Sequence, residues 1–193
     1  MKRFTKAVTA LMLTVAAMFA AGCAKPDDPN GGNNASGTYN GHAYVDLGLP
    51  SGTLWATCNV GADSPKDYGD YFAWGETQPK YYYDWSNYQY CMGSYNTMTK
   101  YCTGATFGYN GFTDNLTDLQ PDDDAVTANW GNGWRMPTYE EWVELCQNTT
   151  NVWTTQNGVN GRLFTASNGN SLFLPVSGGR WGEALGYDGN SGF

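Results

Sequence analysis

Hydrophobic and polar positions alternate clearly only in two parts of the chain. The runs AYVDLGL and TLWATCNV read as strands, split by the turn-rich Pro50-Ser51-Gly52. Towards the C-terminus, Arg162–Ala166 and Ser171–Pro175 flank Asn168-Gly169, a pair suited to positive φ in a tight turn, and predict a hairpin. From Gly61 to Trp134 periodicity is weak and aromatic residues are dense. One helix is well marked. Thr138 with Glu141 three residues later forms a capping-box pattern behind Pro137, and Trp142, Leu145 and Cys146 share one face at helical spacing. PDDDAVTANW predicts a shorter helix with acidic residues at its positive N-terminal end. Strands at both ends with helices between them predict an α+β domain.

The first 41 residues stand outside this pattern. Lys2, Arg3 and Lys6 precede an uncharged stretch from Ala7 to Gly22 that ends in small residues and a cysteine, the layout of a secretory signal. Its apolar part is short of the roughly 20 residues that span a bilayer comfortably. The ending FAAGC resembles a bacterial lipobox. Residues 1–22 are therefore expected to be a lipoprotein signal peptide, and Cys23 to carry acyl chains that tether the protein to a membrane. Residues 23–41 are polar and rich in Gly, Asn and Pro, which predicts a flexible tether. A single domain is expected over 42–193.

Removing the leader, which holds three basic and no acidic residues, takes the formal net charge from −8 to −11. Such a surface suits neither nucleic-acid phosphates nor electrostatic docking on anionic lipid. Aromatic side chains are abundant, with 14 Tyr, 8 Trp and 8 Phe, and 25 Gly indicate many turns. That composition describes a loop-rich domain and excludes a helical bundle.

An exported chain can keep disulfides, and Cys58, Cys91, Cys102 and Cys146 allow three pairings. Cys91 and Cys102 flank MGSYNTMTKY, a segment able to fold back, and are expected to pair; Cys58 and Cys146 are either joined or free. The spacing lacks the CxxC of a zinc site, and neither metal nor cofactor is expected. Asp122, Asp123 and Asp124 are consecutive and point apart, which fits helix capping better than calcium. His42 is the only histidine and lies at the edge of the tether, so no Cys-His or Ser-His pair is formed by a rigid core. GxSxG, HExxH and phosphate-loop motifs are missing from the sequence. No catalytic residue is assigned and no enzyme is expected.

The densest aromatic stretch is KYYYDWSNYQY, Lys80 to Tyr90. Such rings combine an apolar body with a polar tip and suit binding faces, including flat sugar surfaces. Tyr83, Trp85 and Tyr88 are the expected ligand-binding residues, and core beneath long loops is their competing role.

NWGNGWRMPTYEEWVEL, with YVDLGLPSGTLWATCNVGA, DYGDYFAWGETQPK, GYNGFTDNLTDLQPDDDA and GRLFTASNGNSLFLPVSG, resembles the Fibrobacter succinogenes major paralogous domain. The resemblance runs from about Tyr44 onward. It implies a C-type-lectin-like fold, distantly similar to formylglycine-generating-enzyme domains, in an exported lipoprotein of gut Bacteroidetes. Asp27 and Asp28, soon after Cys23, resemble surface-export signals, which implies an outer-membrane lipoprotein exposed at the cell surface. Arg135 is expected to be buried and structural, fixing the loop before the helix with its donors met by carbonyls or carboxylates. The family pattern continues past GYDGNSGF into a last strand, so the chain is expected to lack that strand and AYVDLGL its partner. The function implied is a non-catalytic binding module for glycan or protein. The alternatives are a structural surface protein without a ligand and a polysaccharide hydrolase using a carboxylate pair, which no motif selects among 18 acidic residues.

Overall fold

The computed structural model describes residues 36–186 and the backbone of residues 15–16 and 23–24. Val15–Ala16 (β1) and Cys23–Ala24 (β2) are two-residue strands. Gly37–Tyr39 (β3) and His42–Asp46 (β4) then form a hairpin with Tyr39 opposite His42. Its loop is Asn40-Gly41, with φ of 47° and 82°, the double positive φ of a type I′ turn. Leu54–Ala56 (β5) lies antiparallel to β4, and β2 to β5, giving the order β2-β5-β4-β3.

Two sequence-based expectations change at this sheet. The tether is expected to reach Gly41, but Asn40-Gly41 turns the chain so that Gly37–Tyr39 joins the sheet. AYVDLGL is expected to be short of a partner, yet β4 is paired on both sides. The rest of the expected leader and tether lies outside the described residues. Cys23 is described only as backbone opposite Trp55.

Ala125–Trp130 (α1) follows a 3₁₀ turn at Pro121–Asp123, with Asp124 as its N-cap accepting from the amides of Val126 and Thr127. Tyr139–Asn148 (α2) starts at the predicted capping box, in which Thr138 and Glu141 satisfy each other's amides. Leu145 is fully buried, and Trp142 meets Trp55 edge-on at 5.2 Å. Cys146 departs from the predicted apolar face and is exposed.

Thr149–Gln156 (β6) leaves α2 directly and returns as Val159–Ala166 (β7) through Asn157-Gly158, again with two positive φ values. Ser171–Pro175 (β8) completes this antiparallel sheet. The β7–β8 hairpin is the one predicted, but its loop is longer than the Asn-Gly pair suggests. Only Gly169 takes positive φ, while Asn168 accepts from the Asn170 amide and donates to the Asp46 carbonyl. Gly179–Trp181 (β9) and Ala184–Gly186 (β10) form the last hairpin, with β1 against β9.

Small antiparallel sheets with few helices make this an α+β fold. Along β4 the side chains alternate between two cores. Val45 joins Trp55, Leu145, Phe164 and Leu172, while Tyr44 joins Val126, Trp130 and Trp134. Each fully buried side chain of this size stabilises by about 1.5–3 kcal/mol relative to exposure. A third cluster, Tyr71, Ala73, Tyr83 and Tyr88, fills the long connection between β5 and α1. Among the described residues no helix is long and apolar enough to cross a membrane.

Candidate functional site

The segment from Lys80 to Tyr90 is organised by its hydroxyls. A connection with few strands leaves buried carbonyls without ladder partners, and they must find other donors. Tyr83 Oη donates to the Tyr71 carbonyl at 2.5 Å and accepts from the Lys80 amide at 2.7 Å. Tyr88 Oη donates to the Trp74 carbonyl at 2.9 Å, and Tyr71 Oη to the Ser177 carbonyl at 2.6 Å. Burial raises the hydroxyl pKa of Tyr83 and of Tyr88 above the usual tyrosine range.

These contacts correct the expected binding residues. Tyr83 and Tyr88 are buried core, and Trp85 is partly buried against that core, meeting Tyr88 edge-on at 5.8 Å. The reversal that sorts inside from outside is a 3₁₀ turn at Trp85–Asn87, capped by Asp84, whose carboxylate accepts from the Ser86 amide. Asn87 Nδ2 reaches back to the Tyr82 carbonyl at 2.8 Å.

The outward rings are their neighbours. Tyr81 is 75% exposed and Tyr82 47%. Tyr83 exchanges both backbone hydrogen bonds with Gly182, at 3.0 and 2.8 Å, which ties this segment to the β9–β10 hairpin. The Tyr82 ring lies over Gly182, where an added Cβ would come within 3.3 Å of it. Trp181, 53% exposed, is next to Gly182 in the chain. Three large exposed aromatic side chains are thus carried on two segments fixed by the buried Tyr83. No signal in the sequence separates Tyr82 from Tyr83.

A cavity of about 490 Å³ lies elsewhere, between the Ser51–Thr53 loop and Asn132–Arg135. A smaller cavity of about 120 Å³ shares Leu119, Asp124 and Arg135 with it. Its main polar side chains already serve the fold. Asp124 accepts from the amides of Val126, Thr127 and Met136, Thr127 Oγ1 donates to the Trp134 carbonyl, and Ser51 Oγ donates to Glu144. Arg135 forms a two-pronged pair with Glu141 at 2.8 and 2.5 Å and donates to the Met136 carbonyl. Arg135 is expected to be buried, but its side chain is 44% exposed, while that of Glu141, the partner it reaches, is 14% exposed. Trp134 is the buried member of that run, with Nε1 donating to the Tyr39 carbonyl at 3.0 Å. Saturated in this way, the cavity offers a ligand little beyond its shape.

Asp123 anchors a second polar group. It is 6% exposed and accepts from Tyr90 Oη, from Tyr101 Oη at 2.5 Å and from Lys100 Nζ at 2.5 Å. Burial pushes the Tyr101 hydroxyl up to about 12, and the hydrogen bond to Asp123 adds to the effect. This network ties the loops at Tyr90 and Lys100 to the start of α1. Glu76, also buried, pairs with Lys80 and accepts from the Gln89 amide at 2.7 Å.

The expected Cys91–Cys102 disulfide is not formed, and both residues are free thiols. The segment does fold back, but Cys91 bridges to Met98, four residues short of Cys102. Cys91 Sγ donates to the Trp85 carbonyl and Cys102 Sγ to the Gly104 carbonyl. Cys58 and Cys146 are free as well. His42 stacks on Trp130 with ring centroids 4.1 Å apart. Among the described residues no three His, Cys, Asp or Glu side chains are grouped to hold a metal ion. No protein-family model, characterised protein or solved structure matches the chain.

Proposed function

We propose that this chain is an exported, lipid-anchored binding module of lectin-like α+β fold, recognising glycan at the outer cell surface without catalysis. The observation that carries the reading is the set of exposed rings at Tyr81, Tyr82 and Trp181 on a braced backbone. Holding large aromatics in water costs solubility and opens an adhesive surface, and a binding role explains their retention. Pyranose rings present flat apolar faces edged by hydroxyls, which stack on aromatic rings. The surface is preorganised, since Tyr83 and the Asn87 side chain fix the backbone from which the rings project.

Retention of the whole chain on immobilised polysaccharides tests this. Tyr82→Ala and Trp181→Ala are each expected to weaken retention about tenfold, while near-ultraviolet circular dichroism and a cooperative melt confirm that each variant, altered at a residue about half exposed, remains folded. Failure of the wild-type chain to bind across a broad polysaccharide panel, or equal binding by both variants, counts against the reading. The anchor is tested separately. Cys23→Ser should abolish incorporation of labelled palmitate in a bacterial host.

A further inference from the structure

Strand β6 is the longest sheet edge left open among the described residues. The order β6-β7-β8 makes it outermost, and no backbone hydrogen bond joins it to a described segment beyond β7. Alternate backbone N–H and C=O groups of such a strand face away from its single neighbour and are available to another strand. The other outer strands are guarded. β1 and β2 have two residues each, β3 and β10 have three, and β8 has five and ends in Pro175, which has no N–H to offer. β6 has none of these guards. Its eight residues, TTNVWTTQ, include no charge, no proline and no glycine, and its pairing with β7 runs without a bulge from Thr149 opposite Ala166 to Gln156 opposite Val159. Val152 and Trp153 are consecutive, so they leave opposite faces of the strand, and both are about half exposed.

We propose that β6 is a self-association edge, through which two copies of this chain pair antiparallel and join two three-stranded sheets into one. A strand edge selects another strand, and β6 reads Thr-x-Val-x-Thr in both directions about Val152, so a second copy presents the same uncharged residues in register. The net negative charge of the chain opposes association elsewhere, whereas β6 meets itself without like-charge contact. A twofold axis perpendicular to the sheet pairs only residues of equal parity, so the ladder can centre on Val152. Thr150, Val152 and Thr154 then lie opposite Thr154, Val152 and Thr150 of the second copy. These are β-branched pairs of the kind that favour antiparallel ladders. On the other face Asn151 lies opposite Trp153. The dimer carries two copies of the Tyr81–Tyr82–Trp181 surface, and a ligand with repeated units can engage both.

Sedimentation equilibrium of the whole chain under reducing conditions, which keeps exposed Cys146 from linking copies, reads the mass directly. A concentration-dependent dimer is expected. Val152→Lys, which places two like charges opposite each other on the axis, should raise the dimer dissociation constant by about tenfold or more. Trp153→Lys should also weaken it. Tyr109→Lys, at an equally exposed residue outside β6, should leave it unchanged. Near-ultraviolet circular dichroism confirms that each variant is folded. A wild-type chain that remains monomeric at every concentration tested overturns the proposal. So does a dimer equally tight in Val152→Lys and Trp153→Lys, or one weakened just as much by Tyr109→Lys.

Discussion

Replacing Asp123 with Asn tests whether one buried carboxylate holds the long loops to the start of α1. The asparagine keeps the shape but has one acceptor oxygen for three donors, and its amide NH₂ faces one of them. A hydrogen bond to a charged group contributes about 1.5–3 kcal/mol, and breaking a buried ion pair costs about 3–5 kcal/mol. These figures do not sum here. Two donors are hydroxyls free to rotate, and the Lys100 side chain, 31% exposed, can turn to water. The net loss is about 2–4 kcal/mol. At about 2–4 °C per kcal/mol for a domain of this size, the melting temperature at pH 7 should fall by roughly 5–15 °C. Acid isolates the cause. Burial pushes the Asp123 carboxyl up, but hydrogen bonds from Lys100, Tyr101 and Tyr90 outweigh it and leave the pKa below the ordinary 3.8. The unfolded chain therefore takes up this proton first. The stabilisation is complete well above the unfolded pKa and is lost as pH falls through the lowered folded one. The gap in melting temperature between wild type and Asp123→Asn should accordingly narrow as pH falls below the ordinary carboxyl value of 3.8. A fall of less than about 2 °C at pH 7, or a gap that stays constant in acid, refutes the reasoning.

Tyr83→Phe should destabilise by about 1–3 kcal/mol in denaturant titrations, because the Tyr71 carbonyl and the Lys80 amide lose their partner inside the third core. Glycan retention by the folded variant should fall less than in Tyr82→Ala, because the stacking rings are kept and only the contact that braces their backbone is lost. In alkali the sign reverses from the acid case. The neutral Tyr101 hydroxyl is favoured in the folded state, with its pKa raised from 10.0 to about 12, so its contribution is full below pH 10 and lost as pH rises towards 12. Thermal melts across that window should show falling stability, and Tyr101→Phe should flatten the fall. Exposed Cys146 should react with a maleimide in the native state while buried Cys102 reacts only after unfolding, and mass after alkylation without reductant should count both Cys91 and Cys102 as free.

What could be read from the sequence was what depends on neighbours in the chain. The Thr138–Glu141 capping box and the Asp124 cap are complete within one turn, so residue type and spacing suffice to place them. Asn-Gly pairs were legible but not decisive. Asn40-Gly41 and Asn157-Gly158 close two-residue hairpins, while Asn168-Gly169, the pair with the clearest flanking runs, sits in a wider loop because the Asn168 side chain is drawn to the Asp46 carbonyl 122 residues away. β6 went unread for a related reason. Half exposed on both faces, TTNVWTTQ shows no alternation for a pattern to find. The aromatic stretch is the harder lesson. Tyr81, Tyr82 and Tyr83 are identical in type and adjacent, and the Tyr83–Gly182 bridge decides which one faces inward. Composition did hold a clue of another kind. In a connection with few ladder partners, buried carbonyls need donors from side chains, and tyrosine supplies one at the end of a ring large enough to fill the space around it. Tyrosine density in such a segment is therefore evidence of an internally hydrogen-bonded core as much as of a binding face. Each hydroxyl that finds a carbonyl inside fixes the backbone from which its neighbour projects, so the buried residues here are the reason the exposed ones are held in place.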